Sequence, residues 1–182
     1  MVNFQDFKQN QALNILCIDN DFEFTRKILK VFEVDKSENH ISVVNSGLDA
    51  LDYILYLGKF RDKTYPLPNI ILLDPNLPDI NGFSLLSEIK QNIKLLTIPV
   101  IMLSSSFSRD EVKRGYTLGA VSCIHKPVED ELNEFVDVLS NYWSRFAQLP
   151  NKEDPVEVND TLHKNGVMRI QEAILGIGKS NI

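Results

Sequence analysis

The sequence has no basic run and no stripe of basic residues interleaved with aromatics, and its 25 acidic against 19 basic residues leave a formal net charge of −6. Nucleic acid is therefore not expected as a direct partner, because such surfaces neutralise phosphates with clustered Lys and Arg. No apolar run approaches the ~18 residues of a membrane-spanning helix, and no basic segment followed by an apolar one opens the chain. A cytoplasmic location without membrane contact is the expectation. Cysteine is scarce: Cys17 and Cys123 each sit in an apolar stretch and form no Cys-x-x-Cys pair. They read as two buried free thiols in a reducing compartment, not as a disulfide framework or a zinc site. The three histidines, His40, His125 and His163, show no metal-ligand spacing. The 182 residues suit one domain with an extension, since two ordinary domains need roughly 100–150 residues each. Hydrophobic residues make up 43% of the chain, enough for a sizeable core.

What is present is a rhythm. Residues 1–12 are a polar lead-in, and residues 13–150 alternate short apolar runs with amphipathic stretches. Leu13 to Ile18 reads as a buried strand ending in Asp19-Asn20-Asp21. Phe22, Thr25, Ile28, Leu29 and Phe32 recur at helical spacing. His40 to Val44 is a second strand, and Ser46 caps a helix with Leu48, Leu51, Ile54 and Leu55 on one face. After the Pro-rich stretch Tyr65-Pro66-Leu67-Pro68, Asn69 to Leu73 is a third strand ending at Asp74. Pro75, Pro78 and Asn81-Gly82 force a loop, and Phe83, Leu86, Ile89 and Ile93 mark a third helix. Pro99 to Leu103 is a fourth strand, closed by Ser104-Ser105-Ser106. Ser108 and Glu111 resemble a capping box for a fourth helix. Val121 to His125 is a fifth strand, ended by Lys126-Pro127. Leu132, Phe135, Val136, Leu139, Trp143 and Phe146 lie on one stripe of a long fifth helix. Five βα units with nearly all-apolar strands predict an α/β fold, a five-stranded parallel sheet wound on both faces.

Residues 151–182 break the rhythm. The stretch from Asn151 to Asp160 is an acidic linker, and Val167, Ile170, Ile174 and Ile177 fall on one face of a short helix that Gly176 and Gly178 can end. So short a helix is not stable alone in water. It is expected to dock on helix five or on a neighbouring subunit.

In an open α/β sheet, functional groups gather at the carboxyl ends of the strands. There stand Asp19, Asn20 and Asp21 after strand one, Asp74 and Asn76 after strand three, Ser104 after strand four and Lys126 after strand five. Oxygen ligands of this kind hold a hard cation such as Mg²⁺. A carboxylate can attack phosphorus, while a lysine and a hydroxyl stabilise the phosphoryl oxygens. Taken singly, each residue has a plainer role: Asp74 as a turn former before Pro75, Asp19 and Asp21 as helix caps, Lys126 as a surface lysine.

The runs Ile15-Leu16-Cys17-Ile18-Asp19-Asn20-Asp21, Leu72-Leu73-Asp74-Pro75-Asn76-Leu77-Pro78-Asp79-Ile80-Asn81-Gly82, Ile98-Pro99-Val100-Ile101-Met102-Leu103-Ser104-Ser105-Ser106 and Leu118-Gly119-Ala120, with Lys126-Pro127, resemble a response-regulator receiver domain of flavodoxin-like fold over roughly residues 12–150. The Leu77-Pro78 pair and the ending from Asn141 to Pro150 most resemble the single-domain regulators paired with bacterial phytochromes. The resemblance implies a phosphorelay protein that takes a phosphoryl group from a sensor histidine kinase onto Asp74. Asp19, Asn20, Asp74 and the Asn76 carbonyl match the Mg²⁺ ligands. Ser104 and Lys126 match the residues that contact the phosphoryl group, and Asn76 and Ser106 match the positions that tune its lifetime. The peptide bond before the proline matched by Pro127 is typically cis in the family.

Two positions depart from the family. Asn20 stands where a carboxylate is usual, so Mg²⁺ affinity should fall unless Asp21 swings in. Cys123 stands at the switch position, where a rotating aromatic is usual. With no output module after residue 150, signalling is expected through protein contact, including a homodimer through helix four, strand five, helix five and the extension. Asn20 and Cys123 also motivate an alternative, a receiver-like scaffold that binds partners without phosphorylation. An aspartate-nucleophile phosphatase is disfavoured, because it would carry a second Asp where Asn76 stands.

Overall fold

The computed structural model describes residues 12–34, 38–61 and 67–150. The polar lead-in up to Gln11, the extension from residue 151 and its expected helix, with His163, lie outside the described residues.

Five short strands carry the sheet: β1 (Asn14–Ile18), β2 (His40–Val44), β3 (Ile70–Leu73), β4 (Val100–Ser104) and β5 (Ser122–His125). All pair in parallel, in the order β2-β1-β3-β4-β5. Between them run α1 (Phe22–Val34), α2 (Gly47–Leu55), α3 (Gly82–Gln91) and α4 (Arg109–Thr117), and α5 (Leu132–Asn141) follows β5. This is the doubly wound α/β architecture that the βα rhythm predicts. Period-two alternation splits the core. Leu16, Ile18, Ile71, Leu73, Val100 and Met102 face the side covered by α2 and α3. Ile15, Cys17, Ile70, Leu72, Ile101 and Leu103 face the side covered by α1 and α5. The central strands β3 and β4 are buried along their whole length, as both-face coverage requires.

Local chemistry starts the helices where the sequence indicates. Ser46 accepts from the Asp49 amide at 3.1 Å, and Ser108 and Glu111 form a reciprocal capping box on α4. Helix phase is where the reading needs correction. Phe22 is 72% exposed, and Phe24 joins Ile28 and Phe32 in the core, because positions four apart share a face. Leu48 on α2 is likewise exposed, while Ala50, Leu51, Tyr53 and Ile54 are buried. The fifth helix is not one regular stripe: Glu129–Glu131 is a 3-10 turn and Tyr142–Phe146 a π-helical turn. The wider π winding carries the stripe off axis, so Trp143 packs on the core while Phe146 is 74% exposed. A further 3-10 turn, Gly58–Phe60, lies outside the elements the periodicity predicts and tucks Phe60 against Tyr53. No cis peptide bond occurs among the described residues, so the bond before Pro127 is trans rather than cis; the two isomers of such a bond differ little in energy. Among the described residues no helix is long and apolar enough to cross a membrane.

Candidate functional site

Parallel register brings the polar strand ends to one level. Ile18 pairs with Leu73, so the next residues, Asp19 and Asp74, emerge side by side. The strand order reverses between β1 and β3, the switch point where open α/β sheets place their ligands. Backbone bonds fix both residues: the Asp19 amide donates to the Val44 carbonyl at 3.0 Å and the Asp74 amide to the Ile18 carbonyl at 2.9 Å. Ser104 pairs with His125, and the Lys126 amide donates to the Ser104 carbonyl at 2.9 Å.

At this rim Asp19 and Asp74 are both buried, 1% and 5% exposed. The Lys126 ammonium bridges them, 3.0 Å from Asp19 Oδ1, 2.8 Å from Asp19 Oδ2 and in an ion pair with Asp74 Oδ2. Nζ also lies 5.1 Å from the centre of the Phe24 ring, a favourable position for a cation. Burial pushes the Asp19 carboxyl above the usual carboxylate range, although its bonds with Lys126 and the Asp21 amide pull the other way. Burial also opposes the charge on Lys126, but hydrogen bonds to Asp19 and Asp74 outweigh it and hold the ammonium above the ordinary lysine value.

The other expected site residues lie around this cluster. The Asn76 amide donates to Asp74 Oδ1 at 2.6 Å, so Asn76 is seated in the loop by the aspartate itself. The Ser104 hydroxyl is buried and donates to the Ser106 carbonyl at 2.8 Å, turned into its own loop. Ser106 and Asn20 are exposed at the rim. Asp21 is already engaged through one carboxylate oxygen. Its Oδ1 accepts from the Glu23 and Phe24 amides, each at 3.1 Å, and so caps α1. Cys123 is half-buried, with its sulfur 3.9 Å from the Val112 carbonyl oxygen and against Gly115. Burial pushes its thiol up, and pushes the fully buried Cys17 up further. His125 faces outward, its ring 6.0 Å from that of Phe107, and His40 is exposed at the start of β2.

Two carboxylates against one ammonium leave the cluster one unit negative, and Asp19 Oδ2, though beside the ammonium, accepts no well-aligned hydrogen bond. A hard divalent cation fits such a donor set. The set is lean in charge: Asn20 contributes an amide and not an acid, and among the described residues no group of three acidic, His or Cys ligands forms.

Three residues of the surroundings were not singled out from the sequence. Phe24 lies beneath the Lys126 ammonium. The Asn45 side chain donates to the Asp19 carbonyl at 2.9 Å. Asp79 accepts from the Gly47 and Leu48 amides at the start of α2. Burial opposes the Asp79 charge, and these amides with that of Ile80 overcome it, holding the carboxyl below the usual range. The one available signal was the start of α2 after Ser46, which demands acceptors for its first amides.

Comparison with known proteins agrees with this geometry. The model of the response regulator receiver domain family matches residues 15–137. Response regulator Rcp1 of Synechocystis is 30% identical over 145 residues, 79% of this chain and 97% of that protein. The probable methanogenesis regulatory protein FilR2 of Methanothrix harundinacea is 32% identical over 138 residues, 75% of this chain and 86% of that protein. Among solved structures, the phosphorylated cyanobacterial phytochrome response regulator RcpA superposes with a TM-score of 0.71 at 27% identity, over 78% of this chain and all of that one. The Mn²⁺-bound form of Rcp1 gives 0.69 at 29% identity, over 77% of this chain and all of that one. A family match over most of the described sheet and helices, and the buried Asp–Lys–Asp cluster at the switch point, lead to one assignment: the chain belongs to the response-regulator receiver domain family.

Proposed function

We propose that this receiver takes a phosphoryl group from a sensor histidine kinase onto Asp74, with Mg²⁺ as the divalent cation, and signals by protein contact. The observation that carries this reading is the pair of buried carboxylates sharing the Lys126 ammonium at the β1/β3 switch point. In the transfer an Asp74 carboxylate oxygen forms the new bond to phosphorus while the bond from phosphorus to the kinase imidazole breaks, its electron pair staying with the imidazole. Asp19, Asn20, Asp74 and the Asn76 carbonyl would hold the Mg²⁺, which when bound would supply neutralisation of charge on the phosphoryl oxygens. Lys126, already charged and aimed at Asp74, supplies the fixed cation. The Ser104 hydroxyl leaves the Ser106 carbonyl and turns its donor to a phosphoryl oxygen, moving the loop up to Phe107. Asn76 and Ser106, on the exposed rim, set how readily water reaches the phosphoryl group. The same machinery lets the domain accept a small phosphodonor and lose the group by hydrolysis.

The kind of kinase is read from some of the relatives: two of the solved neighbours are named as phytochrome or bacteriophytochrome response regulators, so a bacteriophytochrome is the proposed partner. For output, Tyr116, Val121, Val138, Tyr142 and Phe146 are exposed on and beside α4, β5 and α5. This face, with residues 151–182, is the proposed homodimer surface. At the switch position the Cys123 sulfur is packed and no aromatic ring is there to rotate, so the signal passes through the backbone beyond Ser104. The phosphorylation-independent scaffold remains the competing reading, motivated by Asn20 and Cys123 together.

Incubation with acetyl phosphate or a cognate kinase and Mg²⁺ should label the protein. Asp74→Asn should abolish the label, and Asn20→Asp should lower the Mg²⁺ concentration needed. Label retained in Asp74→Asn refutes the assignment.

A further inference from the structure

The corner between β2 and α2 touches both halves of the site without containing a reacting group. The Asn45 side chain holds the Asp19 carbonyl at the end of β1. Two residues on, the Gly47 amide donates to Asp79 Oδ1 at 2.8 Å and the Leu48 amide to Asp79 Oδ2 at 2.9 Å. Asp79 belongs to the loop that follows Asp74, and its Oδ1 also accepts from the Ile80 amide at 2.8 Å. The Asp49 amide is satisfied separately, by Ser46. The first amides of α2 are thus shared between a local cap and a carboxylate delivered from another loop, where the positive end of a helix favours it. The two segments meet closely: a Cβ at Gly47 would lie 2.9 Å from the Ile80 Cβ, so only glycine lets them approach as they do.

We propose that Asp79 is a positioning residue for cation-dependent phosphorylation of Asp74. With Asn45 it makes the 45–48 corner a brace that fixes the Asp74–Gly82 loop, and the Asn76 ligand in it, relative to Asp19. This rests on the reading of Asp74 as phosphoacceptor and of Asp19 and Asn76 as cation ligands. The brace contributes nothing to the reaction itself. It spares the cation from having to order the loop that binds it.

The test titrates Mg²⁺ against acetyl phosphate labelling and against binding heat, using the full chain and its Asp79→Ala, Asp79→Asn and Ser46→Ala variants. Asp79→Ala should raise the half-saturating Mg²⁺ about threefold to tenfold, at or below the effect of losing a direct support of a ligand, while label at saturating Mg²⁺ stays near the original level. Asp79→Asn should shift it less, since an amide offers one acceptor oxygen to two N–H donors. Ser46→Ala removes a cap from the same helix without touching the loop, so it should lower the melting temperature and leave the Mg²⁺ dependence in place. Unchanged Mg²⁺ dependence in Asp79→Ala, or an equal shift in Ser46→Ala, overturns the brace. If Asp79→Ala does not fold, Asp79→Asn and Asn45→Ala decide by the same comparison. If the unmodified chain takes no label, the phosphoacceptor reading fails, and the calorimetric Mg²⁺ affinities still decide the brace.

Discussion

Lys126→Met removes one positive charge and keeps much of the aliphatic stem over Phe24. It leaves Asp19 and Asp74, 1% and 5% exposed, facing each other without a counter-ion. One unit pair at the 2.8 Å separation between Nζ and Asp19 Oδ2 is worth about 6 kcal/mol gross at an effective dielectric of ~20. Most of that offsets desolvation in the intact protein, but deleting one partner leaves the desolvation uncompensated, typically a loss of about 3–5 kcal/mol. The expected loss of unfolding free energy at pH 8 without divalent cation is therefore about 3 kcal/mol, read by urea unfolding. Two rescues follow. Like charges left together raise the pKa of one carboxyl in the folded state, so there it holds a proton that the unfolded chain releases. The folded variant then binds more protons than the unfolded one above the ordinary carboxylate range, and its stability falls as pH rises. At pH 5 the deficit should shrink. Millimolar Mg²⁺ should also restore stability, and by more than in the unmodified protein, where Lys126 already neutralises the carboxylates. A deficit equal at pH 5 and pH 8 and indifferent to Mg²⁺ would refute the view that one ammonium holds two buried charges.

Gly115→Ala should destabilise the domain by about 1–3 kcal/mol, the range for overpacking, because a Cβ there would stand 2.7 Å from the Cys123 sulfur. Adding Cys123→Ala should recover much of the loss, and a double-mutant cycle by thermal unfolding measures the coupling. Lys90 donates to the Leu96 and Ile98 carbonyls at 2.9 and 2.6 Å, and burial lowers its pKa from the ordinary 10.5 to about 8. Between those values the unfolded chain binds the extra proton, so Lys90 makes stability rise with pH. Cys17 and Cys123, with raised thiol pKa values, pull the other way above their ordinary 9.0. The difference between the unmodified protein and Lys90→Met is therefore the quantity to follow by urea unfolding, and it should grow from pH 8 toward 10.5. A pH-independent difference would count against the buried ammonium.

The strands and the residues just beyond them were legible because both signals are local. Apolar runs such as Asn69 to Leu73 end abruptly on charged or polar groups, and parallel pairing converts a shared place in each βα unit into a shared place in space. Ser46 and Ser108 were legible for the same reason, since a cap binds amides two or three residues away. Helix phase was less so. Phe22 and Phe24 both fit an apolar periodicity, and only contact with the sheet selects Phe24. Longer-range polar contacts left almost no trace. Asp79 looks like a turn residue until α2 is brought against its loop, and Asn45 like a loop amide until Asp19 stands beside it. Ser104 stands at the end of β4, as the apolar run before it indicates, but its hydroxyl turns to Ser106, a torsional choice that residue type does not encode. Cys123 was visible as a thiol in an aromatic's place, but the glycine that admits its sulfur was not.

The charge balance gives Asn20 a second consequence beside the weaker cation binding proposed for it. On the proposed ligand set, Asp19, Asp74 and Lys126 sum to one negative unit, and a divalent cation makes the loaded site one unit positive. An acid at position 20 would make that loaded site neutral. Phosphorylation would convert the Asp74 carboxylate into an acyl phosphate, a mixed anhydride, and bring up to about two negative charges, so the modified, cation-loaded site would be neutral with Asn20 and one unit negative with an acid. Asp19 and Asp74 are buried, and there unbalanced charge is costly, although position 20 stands at the exposed rim, where solvent screens part of the difference. Asn20 therefore shifts the imbalance from the phosphorylated state to the state before transfer, where the excess positive charge faces an incoming anionic donor. On the proposed ligand set, the same residue that would loosen the cation would favour the phosphoryl group once the cation is in place. Weak Mg²⁺ binding by the resting protein is thus compatible with efficient phosphorylation, and would not by itself favour the scaffold reading.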